Sequence, residues 1–205
     1  MTREQNTVRS LHKGDVPARM PAWHIPRYPS ARSSNMPQIN SPTSGHTGPA
    51  AVAGFQWLPY GNTTYLARLQ HAVAVINTRV NGDRPCDAAF RALPGGRSFA
   101  QVWADPSVWI SYDPGSASGR YGATLGNEVT ISQYCCRMGM WTIVATLIHE
   151  LAHVNGAAGT NHAAEQTLQA CLMKAHHDPT IIGQLQTAPR DPVLAAMSRA
   201  RQRVG

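Results

Sequence analysis

The 205-residue sequence predicts an α+β fold. Three observations lead there. Apolar residues recur at helical spacing in two separated stretches, from Leu66 to Ile76 and from Ile143 to Val154. Between them lie two short segments rich in β-formers, residues 108–112 and 128–132. Gly, Pro and Ser cluster between these segments rather than inside them, as turns require.

Hydrophobic residues make up 42% of the chain, enough for a core, but the 15 prolines are unevenly spread. Residues 1–50 hold seven of them, with several serines and few large aliphatic side chains. Such a stretch buries too little apolar surface to offset its ordering entropy. It is expected to be a flexible basic arm, with the folded domain spanning residues 51–205. Trp23 and Tyr28, beside prolines, are expected to cover the domain or dock on a partner. The opening MTREQNTVRS has no apolar core of signal-peptide length, so no secretory signal peptide is expected and the chain is expected to be cytoplasmic when made. The longest apolar run, Trp141 to Ile148, is far short of the roughly 20 residues that span a bilayer. No membrane span is expected.

Asn62 or Thr63 opens a first helix running to about Val80, with Leu66, Leu69, Val73 and Ile76 on one face. His71 within it is expected to be structural. Asn81-Gly82-Asp83 and Pro85 end that helix, and Asp87 to Leu93 forms a short one stopped by Pro94-Gly95-Gly96. A strand at 108–112 ends at Asp113-Pro114-Gly115, and a Gly/Ser loop covers 114–120. Residues 128–132 alternate polar and apolar, as a half-buried strand does.

The following stretch, WTIVATLIHELAHVNGAAGTNHAAE, carries the chemistry. Ile143, Val144, Leu147, Ile148, Leu151 and Val154 can bury a helix, and Gly156 is a natural stop. His149 and His153, four apart, lie on one helix face and can present imidazole nitrogens to a single ion. Glu150 follows the first histidine and can reach a water on that ion without ligating it. Two imidazoles, a third ligand and a water make the open site of catalytic zinc, whose water loses a proton to a carboxylate as it attacks a carbonyl. After the turn at residues 156–160, Thr160 or Asn161 caps a second helix, expected to run to about His176. On it His162 and Glu165 are three apart and near the first helix. Either offers a third ligand, and the other could orient a ligand or stabilise an oxyanion.

Thr146-Leu147-Ile148-His149-Glu150-Leu151-Ala152-His153 resembles the helix signature of the zincin metallopeptidases. The chain departs from the family at Asn155, where an apolar residue is usual, and Gly159 stands where the metzincin branch has a histidine. The resemblance implies a small zincin-like core with a short, mostly antiparallel sheet and an active-site helix followed by further helices. It also implies a Zn²⁺ cofactor held by His149, His153 and Glu165, with His162 as the alternative third ligand. Glu150 is then the catalytic general base for hydrolysis of an amide bond in a peptide or protein substrate. Residues 128–132, just before the active-site helix, take the place of the strand that pairs with extended substrate. Tyr121, Tyr134 and His162 are candidates for the oxyanion donor. More loosely, the segment from Ala145 to Gly159 is similar to metallopeptidase domains of bacterial secreted effectors and toxins. That similarity implies secretion machinery and an immunity protein as partners, or peptidoglycan cross-links as substrate. The competing class is a non-catalytic zincin-like or basic interaction module.

The remaining features are less specific. His176-His177 are adjacent on a helix and diverge, so they read as cations at its C-terminus. Asp178-Pro179 and Asp191-Pro192 each announce a further helix, the last ending in Arg199, Arg201 and Arg203. Cys86, Cys135, Cys136 and Cys171 contain no C-x-x-C and so no zinc knuckle. Reduced buried thiols fit a cytosolic protein, while the even count also permits disulfides such as Cys86 with Cys135 or Cys136. A net charge of +7 favours acidic partners, but it is dispersed, and no motif supports nucleic-acid binding.

Overall fold

The computed structural model describes residues 36–172. The elements run β1 (Gln38–Ile39), α1 (Thr63–Arg79), α2 (Arg84–Arg91), α3 (Phe99–Trp103), β2 (Trp109–Asp113), β3 (Gly122–Leu125), β4 (Glu128–Ser132), α4 (Gln133–Met138), α5 (Met140–Val154) and α6 (Ala163–Leu172). Trp23, Tyr28, His176-His177, the two Asp-Pro helix starts and the arginine tail lie outside the described residues.

The fold is α+β, but its sheet is mixed rather than mostly antiparallel. Strand order is β1-β2-β4-β3. β1 and β4 both pair parallel with β2, and only β3 pairs antiparallel, with β4. The reason is insertion: β4 returns between β2 and β3, so the one reversed strand of the hairpin is displaced to the edge. β4 therefore has neighbours on both sides and cannot pair with substrate. The sheet edge on that side belongs to β3. Residues 36–40, inside the stretch expected to be an arm, belong to the fold, since β1 pairs with β2 and Asn40 is fully buried.

α5 is the central element. It is apolar nearly all round, with every residue from Thr142 to Ile148 buried, and it packs on α1, α4, α6, β3 and β4. Ile110, Val129 and Ile131 face the core shared with α5. On the opposite face of the sheet, Phe55 and Trp57 pack on Ala123. That strap is held by Thr130 Oγ1 donating to the Gln56 carbonyl (2.7 Å) and Trp57 Nε1 donating to the Glu128 carbonyl (3.1 Å). Arg120 adds a two-pronged pair with buried Asp113 (2.6 and 2.8 Å) and lies over the Phe55 ring.

α1 forms where its periodicity places it, capped by the Asn62 side chain on the Tyr65 amide. α2 starts three residues earlier than its apolar pattern indicates. Asp83 and Pro85, which end α1, also begin α2, as its cap and first-turn proline. The cysteines pair as Cys86–Cys171, not Cys86 with Cys135 or Cys136. The bond ties α2 to α6 across 85 residues of chain. Cys135 and Cys136 are free and buried in α4. Among the described residues no helix is long and apolar enough to cross a membrane.

Candidate metal centre

Two histidines of α5 meet at their tips: His149 Nε2 and His153 Nε2 are 3.1 Å apart. α5 ends at Val154, and Gly156, at a φ of +90°, reverses the chain in a conformation that favours glycine. The reversal carries the Ala157 carbonyl to 2.8 Å from His153 Nδ1. A carbonyl only accepts, so His153 Nδ1 carries a proton and donates it there, which in the neutral ring leaves the lone pair on Nε2. Burial and the neighbouring His153 push the His149 pKa down to about 3, so its ring is neutral across the physiological range.

This pair fits a zinc ion. Two nitrogens bound to one tetrahedral zinc at about 2.0–2.1 Å lie roughly 3.3 Å apart, close to the separation here. Neutral imidazoles with one Nδ1 fixed by a carbonyl are the state in which histidine ligates. Two buried polar atoms without a hydrogen-bond partner, His149 Nδ1 and Glu165 Oε2, lie on α5 and α6, which pack against each other. Glu165 is half-buried in the first turn of α6. His162 is exposed just before it, and Asn161 caps the turn by accepting from the Ala163 amide (3.1 Å). The structure brings His149 and His153 together. Among the described residues it does not gather three His, Cys, Asp or Glu side chains into one metal-holding group.

Glu150, one residue on from His149, turns to the sheet. Its carboxylate is buried (3% exposed) and accepts from Thr124 Oγ1 of β3 at 2.8 Å. Gly122, two residues earlier on the same face of β3, leaves the space this needs. A Cβ there would stand 2.8 Å from Thr146 Cγ2 and the Thr130 carbonyl, and 3.1 Å from Glu150 Oε1. Sequence reasoning missed both residues because β3 is only four residues long and starts next to a glycine-rich loop. The Gly126-Asn127 pair between residues 125 and 128 was the available signal, since two such residues join strands in a hairpin. Tyr121 and Tyr134 stack edge to face with centroids 5.4 Å apart, at the start of β3 and in α4. Burial raises the Tyr121 pKa, with the neighbouring Tyr134 adding to the effect.

Asn155, the departure from the zincin pattern, has a structural task. Its amide donates to the Phe90 and Arg97 carbonyls (2.8 and 2.9 Å), its Oδ1 accepts from Arg97 Nε, and its own carbonyl accepts from the Gly95 amide. It thus fixes the end of α5, and the turn that orients His153, to the loop after α2. No protein-family model, curated protein or solved structure matches the chain.

Proposed function

We propose that the chain is a zinc-dependent metallopeptidase of the zincin type, hydrolysing amide bonds in a peptide or protein. The observation that carries this reading is the His149–His153 pair, its nitrogens 3.1 Å apart and one ring oriented by the Ala157 carbonyl. His149 and His153 would hold Zn²⁺, with Glu165, or His162, as third ligand. Bound there, the ion would supply Lewis acidity toward a water and a carbonyl oxygen. Glu150 takes a proton from the attacking water and returns it to the leaving amine. Thr124 holds that carboxylate in place, and β3 offers the unpaired sheet edge for an extended substrate. Export to act on another cell's protein or wall is part of the same proposal.

Elemental analysis of wild type, His149→Ala, His162→Ala and Glu165→Ala, each checked for folding, tests the metal site. One zinc per chain, lost in His149→Ala and in one of the other two variants, is the expected result. No zinc in reconstituted, folded wild type would sink the reading. Glu150→Gln should keep zinc and fold while losing hydrolysis of a broad set of peptides and cell-wall fragments. A second reading, a non-catalytic module, draws on the deep burial of Glu150 and its bond to Thr124. No hydrolysis by zinc-loaded wild type across those peptides and cell-wall fragments would favour it.

A further inference from the structure

We infer that Arg97 is a positioning residue of the metal centre: by clamping the turn that ends α5, its guanidinium keeps the Ala157 carbonyl on His153 Nδ1 and so keeps Nε2 free for an ion. This rests on the metallopeptidase reading above and deepens it by naming what orients the second histidine. The last four carbonyls of a helix have no partner within it. In α5 they belong to residues 151–154, and the glycine turn takes three of them. The Asn155 amide donates to the Leu151 carbonyl (3.0 Å), the Ala157 amide to the Ala152 carbonyl (2.9 Å) and the Gly156 amide to the His153 carbonyl (2.9 Å). These bonds fold Ala157 back over the end of the helix, which is why its own carbonyl reaches the His153 ring at 2.8 Å. The fourth carbonyl, at Val154, accepts from Arg97 Nη2 at 3.1 Å. The end of the histidine-bearing helix is thus closed by a side chain from 57 residues earlier in the chain.

Arg97 makes this contact from a fixed pose. Nη1 pairs with the Asp105 carboxylate at 2.7 Å, and Nε donates to Asn155 Oδ1 at 3.3 Å. Asp105 aims the guanidinium, whose rigid fork meets three acceptors in different directions, as the point charge of a lysine does not. A cation at a helix C-terminus is also favoured by the helix dipole. Behind the side chain the two backbones touch. The Gly95 amide donates to the Asn155 carbonyl at 2.8 Å, and a Cβ on Gly95 would stand 2.6 Å from that same oxygen. A Cβ on Gly156 would stand 3.2 Å from both the Gly95 nitrogen and Pro94 Cβ. With no slack between loop and turn, a shift at Arg97 is passed to the turn rather than absorbed. Asn155 is fully buried, whereas the Arg97 side chain is 33% exposed, so Arg97 can be replaced without opening the core.

The test uses Arg97→Met, which keeps much of the side chain's length and removes every donor, with folding checked by circular dichroism. One readout is the His153 tautomer in metal-free protein, from long-range ¹⁵N–¹H correlation spectra in alkaline buffer, assigned against His153→Gln. The other is zinc affinity, by competition with a chromophoric chelator. Wild type should show His153 protonated on Nδ1 alone. Arg97→Met should show a mixture of tautomers and bind zinc about 10- to 100-fold more weakly, as for loss of support behind a metal ligand. Arg120→Met, which breaks the pair with Asp113 beside the Phe55 ring, controls for general loss of stability and should leave both readouts as in wild type. An unchanged tautomer or an unchanged zinc affinity in folded Arg97→Met overturns the positioning role and leaves the metal site standing, and so does an equal change in Arg120→Met. No zinc on folded, reconstituted wild type overturns both. If Arg97→Met fails to fold, Arg97→Lys decides by the same readouts: it keeps the charge but not the fork, so mixed tautomers and weaker zinc binding are expected, and wild-type values overturn the role.

Discussion

His149 and Thr124 show how much of the site is set by single side chains. Burial holds the folded His149 pKa near 3, below its unfolded value of about 6.5. The unfolded chain thus takes up a proton between these values that the folded chain refuses. Stability contributed by His149 is complete above about pH 6.5 and falls as pH drops toward 3, by up to about 1.4 kcal/mol per pH unit. Urea unfolding of metal-free protein at pH 7 and pH 4.5 should show the loss, and His149→Gln should reduce it. Thr124→Val removes a hydroxyl of almost the same size that donates to the Glu150 carboxylate. The expected cost is about 1.5–3 kcal/mol, the range for a hydrogen bond to a charged group. Thr124→Ser, which keeps the donor, should recover most of it. If valine and serine variants unfold at the same urea concentration, the Thr124 hydroxyl does not hold Glu150.

At the scale of elements, strong periodicity was legible and local chemistry within short elements was not. α1, β2, β4 and α5 carry apolar residues in runs long enough to read, and Gly156 marks the end of α5. α3 and α4 are five and six residues long, and their signals are caps, Ser98 with Gln101 and Ser132 before Cys135. A cap without a long apolar face behind it reads as a loop. Strand pairing was also hidden, because insertion of β4 between β2 and β3 is a tertiary choice that no local pattern records. The histidine pair was legible since helical spacing alone brings its members together, whereas Thr124 reaches Glu150 across 26 residues. Asn155 illustrates the limit. From sequence it is a departure from a motif, and in the fold it joins the end of α5 to the last turn of α2 and the loop after it. Asn155→Leu would restore the family's apolar character yet leave the Phe90 and Arg97 carbonyls without their donor. A loss of about 2–4 kcal/mol is expected in denaturant unfolding, near 1–3 for each buried group left unpaired, less what relaxation recovers. An unchanged midpoint would mean that the loop does not depend on this side chain.

For the whole molecule, two long-range constraints bear on the same helix pair, and they should add in a definite way. Closing an 85-residue separation with a disulfide restricts the unfolded chain by about 4.5 kcal/mol in the loop-entropy model. That stabilisation acts on the unfolded state, so it is present with or without metal. Zinc acts on the folded state alone, raising stability by about 2.7 kcal/mol when its free concentration is 100 times Kd. Were the two independent, the zinc-induced rise in Tm would be the same in oxidised wild type and in Cys86→Ser/Cys171→Ser. If α6 carries both the bond and a ligand, and loss of the bond weakens zinc binding, the variant's rise is smaller at equal zinc. The control is His149→Ala with the disulfide intact, which should have a Tm set by the disulfide but insensitive to zinc. Thermal scans of the three proteins at one fixed free-zinc concentration separate these cases. A full zinc response in the cysteine variant would place the ligands wholly outside the reach of the disulfide, with α6 held by packing on α5 and α2 alone.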